Sequence, residues 1–393
     1  MGDDRDAEWV ATIRRGLLGW FATEQRDLPW RADRDPYRIL VSEMMLVQTT
    51  VAAVVPFFVR FLGRFPDFQA LAAADEEHVL KAWEGLGYYR RARQLHAAAK
   101  AVVAEHGGRM RDDPIAVRAL PGVGPYLAGA ILSQAFGRPE PILEANSQRV
   151  LARLLGWDVD LAASASKKRL WEAAARLVPP EEPGDFNQAL MELGALICSP
   201  RSPRCLFCPV ASACKAFKTG VQDRIPRITP RPAPTAVSEA CAVVAREGRV
   251  LVVRRSGPGL WADFWEFPTI HREGADPAGR SFDPPVGLAE GVERLTGLPV
   301  AVVGMLKTLT FGVTRYRVRL EAYAATPLGG EADAKPQPGP GLSDAAWVGL
   351  EELAGLTMSS AGRRLVAAIQ AEPEAWGLAD SGSSHVAEES SNR

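Results

Sequence analysis

Two periodicities divide the chain. From about residue 8 to residue 214, apolar positions recur at helical spacing between short Gly/Pro breaks. FNQALMELGALI (186–197) places Phe186, Leu190, Leu193 and Ile197 on one helical face and then delivers Cys198. RILVSEMMLVQTTVAAVVPFFVRFL (38–62) is strongly apolar, with polar breaks at Ser42, Glu43 and Gln48 to Thr50. RIPRITPRPAPTA (224–236) then brings four prolines and few large apolar residues, the composition of a semi-rigid linker. Beyond it the texture is strand-like. EACAVVAR, a tight turn at Glu247-Gly248-Arg249 and RVLVVRR predict a β-hairpin. VTRYRVRLEAYAA (313–325) predicts another strand, LAEGVERLTGL (288–298) a helix, and AAWVGLEEL (345–353) a strand entering a helix. The pattern predicts an all-α domain over 1–223, a linker over 224–236 and an α+β domain over 237–372. A polar, Ser-rich disordered tail is expected over 373–393.

Composition narrows the class. The chain has 393 residues, 47% of them hydrophobic and 24% charged, enough for two or three ordinary cores. It holds no run of eighteen apolar residues, and MGDDRDAEW lacks the basic and apolar regions of a signal peptide. The expectation is a cytoplasmic protein with no membrane partner. Net charge is −1, so only local patches point to nucleic acid. GYYRRARQ (87–94) sets Arg90, Arg91 and Arg93 beside two tyrosines, and Lys215, Lys218, Arg224, Arg227 and Arg231 face a single Asp223. Such patches suit phosphate contacts, although each alone is also an ordinary solvated face.

Chemistry concentrates at three places. Cys198, Cys205, Cys208 and Cys214 follow C-x6-C-x2-C-x5-C, a four-thiolate set of the kind a [4Fe–4S] cluster needs. A structural zinc also takes four thiolates, but paired C-x2-C gaps would favour it and only one gap here is short. Cys241, the fifth, sits in an apolar strand and reads as a small buried hydrophobe. LPGVG (120–124) followed by Pro125 and YLAGAILSQAF resembles a helix-hairpin-helix. Gly122 and Gly124 permit a tight turn that can bring its backbone N–H groups, with Val123 between them, to a phosphate, although a Gly-Val-Gly turn between helices is by itself just a turn. Glu43 lies in the apolar run ILVSEMMLV, where burial raises a carboxyl pKa and makes a general acid usable near neutrality. A glutamate on a solvated helix face fits the same string.

The cysteine spacing, with LPWR (28–31), DPYRILVSEMMLVQTTV (35–51), GLGYYRRAR (85–93), LPGVG (120–124), NSQRVLARL (146–154) and FNQALMELGA (186–195), resembles the adenine DNA glycosylases of the MutY family. These belong to the endonuclease III superfamily of helix-hairpin-helix enzymes. The resemblance implies a [4Fe–4S] subdomain over 198–214 and a partner of double-stranded DNA carrying adenine opposite 8-oxoguanine or guanine. It implies that Glu43 protonates adenine N7 and later helps to activate water. Trp30, Arg31 and Gln188 would contact the extruded base, and Gln48 and Tyr88 would fill or wedge the duplex. Tyr126 stands where the lyases of the superfamily carry a Schiff-base lysine, implying a monofunctional glycosylase, with Tyr126 and Asn146 orienting the active-site groups.

This chain departs from the family at Glu144-Ala145-Asn146, where an aspartate and a Gly-Asn pair are usual, and at Val47-Gln48, where two glutamines are common. The family aspartate stabilises the oxocarbenium-like sugar, and Glu144 keeps its charge with one more methylene. The C-terminal region resembles the Nudix-related domain that the family uses to read 8-oxoguanine. GLAEGVERLTGL offers only Glu290 and Glu293 and lacks the acidic pair of a working hydrolase, so recognition without hydrolysis is expected. The resemblance sets Val313-Thr314-Arg315 at the family's lesion-reading Phe-Ser-His strand, which would assign Thr314 and Arg315 to DNA, although alternating Arg and apolar residues also describe an ordinary half-exposed strand. A monomer in the bacterial cytoplasm, associated with the nucleoid when bound to DNA, is the expected state. An attenuated lesion-binding protein and a glycosylase for another base are the alternatives.

Overall fold

A computed structural model describes residues 3–227, 232–257, 261–272, 287–328 and 335–378. The chain forms two compact units, Met1–Arg231 and Pro232–Arg393.

The first unit is helical: α1 (Asp3–Glu24), α2 (Pro36–Leu46), α3 (Val51–Arg64), α4 (Phe68–Ala73), α5 (Glu76–Trp83), α6 (Arg90–His106), α7 (Pro114–Ala119), α8 (Pro125–Phe136), α9 (Ala145–Leu155), α10 (Ser164–Leu177), α11 (Pro183–Leu196) and α12 (Lys215–Lys218). The apolar stretch 38–62 becomes two helices because Val47 to Thr50 break it, and Thr50 Oγ1 caps α3 by accepting from Ala53 N. Helix α2 is buried from Tyr37 to Met45 except Arg38, so Ser42 and Glu43 go into the core with their neighbours. Phe186, Leu190, Leu193 and Ile197 of the α11 segment pack on Ile13, Leu17 and Phe21 of α1 and on Leu151 and Leu154 of α9. Each such side chain contributes about 1.5–3 kcal/mol by leaving water. Gly194 permits the close approach of α11 to α9: a Cβ there would lie 2.5 Å from Asn146 Cβ.

The hairpin runs from α7 through residues 120–124 into α8. Gly122 has φ +78°, a left-handed value that suits glycine, and an added Cβ would meet Gln94 Cβ at 2.7 Å. Pro125 occupies the first turn of α8. Residues 224–227, expected to be linker, instead pack on the helices. Buried Arg153 donates from Nε to Ile225 O at 2.8 Å, and Arg227 N donates to Val159 O at 3.1 Å. The buried guanidinium needs acceptors, and this extended segment supplies one.

The second unit contains β1 (Thr235–Arg246), β2 (Arg249–Arg255), β3 (Trp265–Glu266), β4 (Thr269–His271), α13 (Leu288–Thr296), β5 (Val300–Val313), β6 (Tyr316–Pro327), β7 (Leu342–Gly349) and α14 (Ser360–Ala371). The sheet order is β3-β2-β1-β6-β5, with β4 also on β1 and β7 on β2, and β1 runs parallel to β6. Strand β1 is buried on both faces. Cys241, Val243 and Ala245 join Leu365 and Ile369 of α14, while Ala240, Ala242 and Val244 join Leu288 and Val292 of α13. Alternation with period two divides one apolar run between two helical layers. The β1–β2 hairpin turns where expected but on two residues, Glu247 and Gly248, both at positive φ (49° and 71°); Arg249, expected in the turn, already pairs with Arg246 as the first residue of β2.

Two expectations in this unit need correction. The run 313–325 is not one strand: β5 ends at Val313, Thr314 (φ 51°) turns the chain, and β6 begins at Tyr316. The tail does not begin at 373. Pro373–Trp376 form a 3-10 turn, and Trp376 and Leu378 are buried in the layer with α14. Two large apolar side chains make that segment part of the core; residues 379–393 lie outside the described residues.

Candidate active site

Helices α2, α8, α9 and α11 enclose one cavity of about 410 Å³ with the segment before α2 and the break after it. Trp30, Arg31, Glu43, Gln48, Tyr126, Glu144, Asn146 and Gln188 all line it. Its size suits a nucleobase and part of a sugar.

Glu43 is 5% exposed. Its Oε2 accepts from the Tyr126 hydroxyl and its Oε1 from Gln134 Nε2 at 3.4 Å. Burial pushes its carboxyl above the ordinary range. The hydrogen bonds from Tyr126 and Gln134 pull it down, Glu144 pushes it up and Arg31 lowers it. Net elevation makes a carboxylic acid available at higher pH than a solvated glutamate allows. The Tyr126 phenol is raised well above its usual value, chiefly by burial and then by Glu43 and Glu144, so it stays protonated and donates.

Glu144 is the N-cap of α9. Its Oε2 accepts from Asn146 N at 2.8 Å and its Oε1 from Ser147 N at 2.7 Å, while Glu144 N donates to Ser147 Oγ at 2.7 Å. The reciprocal pair is a capping box, and it turns the longer side chain back onto its own helix. Burial raises this carboxyl, whereas the two backbone N–H bonds and Arg149 lower it. Asn146 thus orients Glu144 through its backbone N–H. Its side-chain Oδ1 accepts from Arg149 Nη2 at 2.8 Å. Arg149 also donates to Gly194 O and Cys198 O, both at 2.8 Å, tying the site to the cysteine segment.

The base wall rests on an ion cluster. Gln188 Oε1 accepts from Arg31 Nε at 2.9 Å, and Arg31 Nη2 lies 3.0 Å from Glu192 Oε2. Arg26 grips the same carboxylate through Nε and Nη2, each at 2.7 Å. Burial alone would raise the Glu192 carboxyl, but Arg26 and Arg31 bring it down to about 2. Trp30 closes the wall, edge-on to Phe58 at 5.5 Å. Sequence reasoning passed over Gln134 and Glu192; the latter lay inside a quoted family string, but only the fold shows its guanidinium partners.

The DNA-facing assignments divide. Gln48 and Tyr88 are exposed, as are Gly122 and Gly124. Val123 differs: its side chain is 7% exposed and its N–H donates to Leu120 O at 3.0 Å, so it shapes the turn. In the expected basic patch, Arg90 is exposed, Arg93 pairs with Glu76 at 2.7 Å, and Arg91 is buried. Burial lowers the Arg91 guanidinium to about 10, which leaves it charged at neutral pH. Lys215, Lys218 and Arg224 are exposed, whereas Arg227 pairs with Asp158. Thr314 and Arg315 sit exposed at the β5–β6 turn, where Arg315 Nη2 donates to Tyr316 Oη at 2.8 Å.

Cys198, Cys205, Cys208 and Cys214 line one pocket with Val150, Leu154, Leu193 and Val210. Arg153 Nη1 lies 3.3 Å from Cys198 Sγ. Burial raises the thiols of Cys205, Cys208 (to about 12) and Cys214, which disfavours their ionisation. Among the described residues, no three His, Cys, Asp or Glu side chains converge closely enough to hold a single metal ion.

Residues 41–176 match the HhH-GPD superfamily of base excision DNA repair proteins, and residues 240–368 match the NUDIX domain. The adenine DNA glycosylase of Homo sapiens is 33% identical over 423 aligned residues, covering 94% of this chain and 76% of the human protein. The chain belongs to the adenine DNA glycosylase family. The family's Rattus norvegicus member is 38% identical, over 67% of this chain and 61% of its own length. A thermostable thymine-DNA glycosylase structure superposes with a TM-score of 0.50 at 32% identity, covering 55% of this chain and 99% of that one. The family's two-part architecture is therefore present: a helix-hairpin-helix glycosylase unit and a Nudix-like α+β unit.

Proposed function

We propose that the chain is a monofunctional DNA repair glycosylase that hydrolyses the N-glycosidic bond of adenine opposite 8-oxoguanine or guanine. The observation that carries this reading is the hydrogen bond of buried Glu43 to Tyr126, in one cavity with Glu144, Trp30 and Gln188. Glu43 in its acid form protonates N7 of the extruded adenine. This weakens the bond to the sugar, and the carboxylate left behind accepts a proton from the attacking water. Glu144 supplies negative charge to the oxocarbenium-like sugar, the two carboxylates dividing the work as in sugar hydrolysis. Tyr126 holds Glu43 in place, and the absence of an amine at that position leaves an abasic product uncleaved. Extrusion of the base costs a few kcal/mol, offset by Gln48 and Tyr88 occupying the duplex. The exposed tip at Thr314 and Arg315 reads the opposite base, and Glu290 and Glu293 do not support hydrolysis. In this reading the chain acts as a monomer in the cytoplasm.

Both Glu144 oxygens are engaged by the α9 cap, which favours a second reading, a lesion binder slow in chemistry. Single-turnover adenine release from duplex with adenine opposite 8-oxoguanine decides between them. Glu144→Asp is expected to raise the rate by up to about 10²-fold, since an aspartate still caps a helix without the misplaced methylene. Tight duplex binding with no release, restored by Glu144→Asp, favours the second reading. Indifference to that mispair removes the adenine assignment.

The four thiols are read as ligands of a [4Fe–4S] cluster rather than zinc, because they line one pocket and only one of their sequence gaps is the short C-x2-C that paired zinc sites use. Cys198, Cys205, Cys208 and Cys214 would hold it, with Arg153 offsetting the thiolate charge. When bound, the cluster supplies iron–thiolate cross-links that anchor the loop after α11. As isolated, the protein is expected to be brown with about four irons per chain; stoichiometric zinc would refute the assignment.

A further inference from the structure

The two exposed residues read as duplex probes come from separate loops, yet both loops are held by one buried side chain. Gln48 lies between α2 and α3, Tyr88 just before α6, and both adopt left-handed backbone conformations (φ 59° and 48°) that non-glycine residues rarely hold. Arg91 is 8% exposed. Its Nη1 donates to Met44 O at 2.8 Å, Met45 O at 2.8 Å and Val47 O at 2.6 Å. Its Nη2 faces Thr49 Oγ1, Leu86 O and Gly87 O, each at 3.3 Å. The guanidinium therefore bonds the residues on both sides of Gln48 and the residue just before Tyr88. The Tyr88 ring also lies 5.3 Å from the guanidinium carbon.

We propose that Arg91 is a positioning residue that locks the Gln48 and Tyr88 loops into one unit, so that both probes enter the duplex together. A planar fork with five N–H donors can span acceptors on two loops, whereas a lysine ammonium is a single point with three. The two strained conformations are then held by a shared anchor, and displacing one loop loosens the other. The inference rests on the reading of Gln48 and Tyr88 as duplex probes.

The test is a double-mutant cycle on the full chain. It uses Gln48→Ala, Tyr88→Ala and their combination, in the native, Arg91→Lys and Thr49→Val backgrounds. Duplex affinity and single-turnover release are measured with adenine opposite 8-oxoguanine. In the native background the second substitution is expected to cost at least about fivefold less than it does alone. In Arg91→Lys the two effects should multiply independently, and Thr49→Val, which removes one acceptor and no charge, should weaken the coupling if the lysine variant does not fold. Independent effects in the native background would overturn the proposal while leaving the probe reading intact. So would coupling that survives Arg91→Lys unchanged or, where that variant does not fold, Thr49→Val. If neither single substitution alters binding or release, the probe reading fails and takes the proposal with it.

Discussion

Glu43→Gln is expected to lower single-turnover adenine release by about 10³-fold, or about 4 kcal/mol of barrier, while changing duplex affinity little. The amide keeps the size of the side chain and hydrogen-bonding capacity toward Tyr126 and Gln134, so the cavity persists. It cannot deliver a proton to the base. The pH dependence supplies a second signature. The acid form of Glu43 must come first, so the native rate falls as pH rises through its pKa, which burial places above the ordinary glutamate value. Tyr126 donates to the carboxylate and lowers that pKa. Removing the donor in Tyr126→Phe should therefore move the alkaline limb upward, while Glu43→Gln should lack the limb. A Glu43→Gln rate within tenfold of native would remove Glu43 as the acid.

Glu192→Gln is expected to lower unfolding stability by about 3 kcal/mol, read from the denaturant midpoint, because it leaves the partly buried Arg31 and Arg26 without their buried counter-charge. The magnitude is set at the low end for buried pairs because Arg26 reaches solvent. Its effect on catalysis should follow from Arg31 and Gln188 losing their support, with KM rising more than kcat falls. The Glu192 carboxyl is depressed to about 2 in the folded protein, against about 4.3 when unfolded. Its contribution is present above about pH 4.3 and is lost as pH falls toward 2. The native protein should lose stability steeply over that window and the variant less so. A loss below 1 kcal/mol would show that the ion cluster is dispensable.

Much of this was legible in the chain because its signals are local. The spacing of Phe186, Leu190, Leu193 and Ile197 determined which face of α11 is buried, and Glu247-Gly248 determined the β1–β2 turn. A glutamate among apolar neighbours was bound to be either exposed or perturbed, and the resemblance pointed to the second. Glu43, Asn146 and Gln188, all within the quoted family strings, do meet in one cavity with Tyr126, which the comparison with the superfamily's lyases singled out.

What the chain alone did not determine depends on partners far away in sequence. Arg91 reads as part of a basic patch, but the helix it starts turns it inward to carbonyls more than forty residues earlier. Glu144 reads as a carboxylate reaching too far, until Ser147 and the α9 N-terminus fold it back. Trp376 and Leu378 look like the start of a tail, and Thr314-Arg315 like strand, because burial against another layer and the point where a strand reverses are set by pairing across the sheet. The sequence by itself determined the periodic elements and the cysteine set, which follow from short-range spacing, and its resemblance to the family singled out Glu43 as the candidate acid. Tertiary structure alone decided which charges are buried, which donors meet them and which way each carboxylate turns, because desolvation and hydrogen bonding depend on the groups that folding brings together.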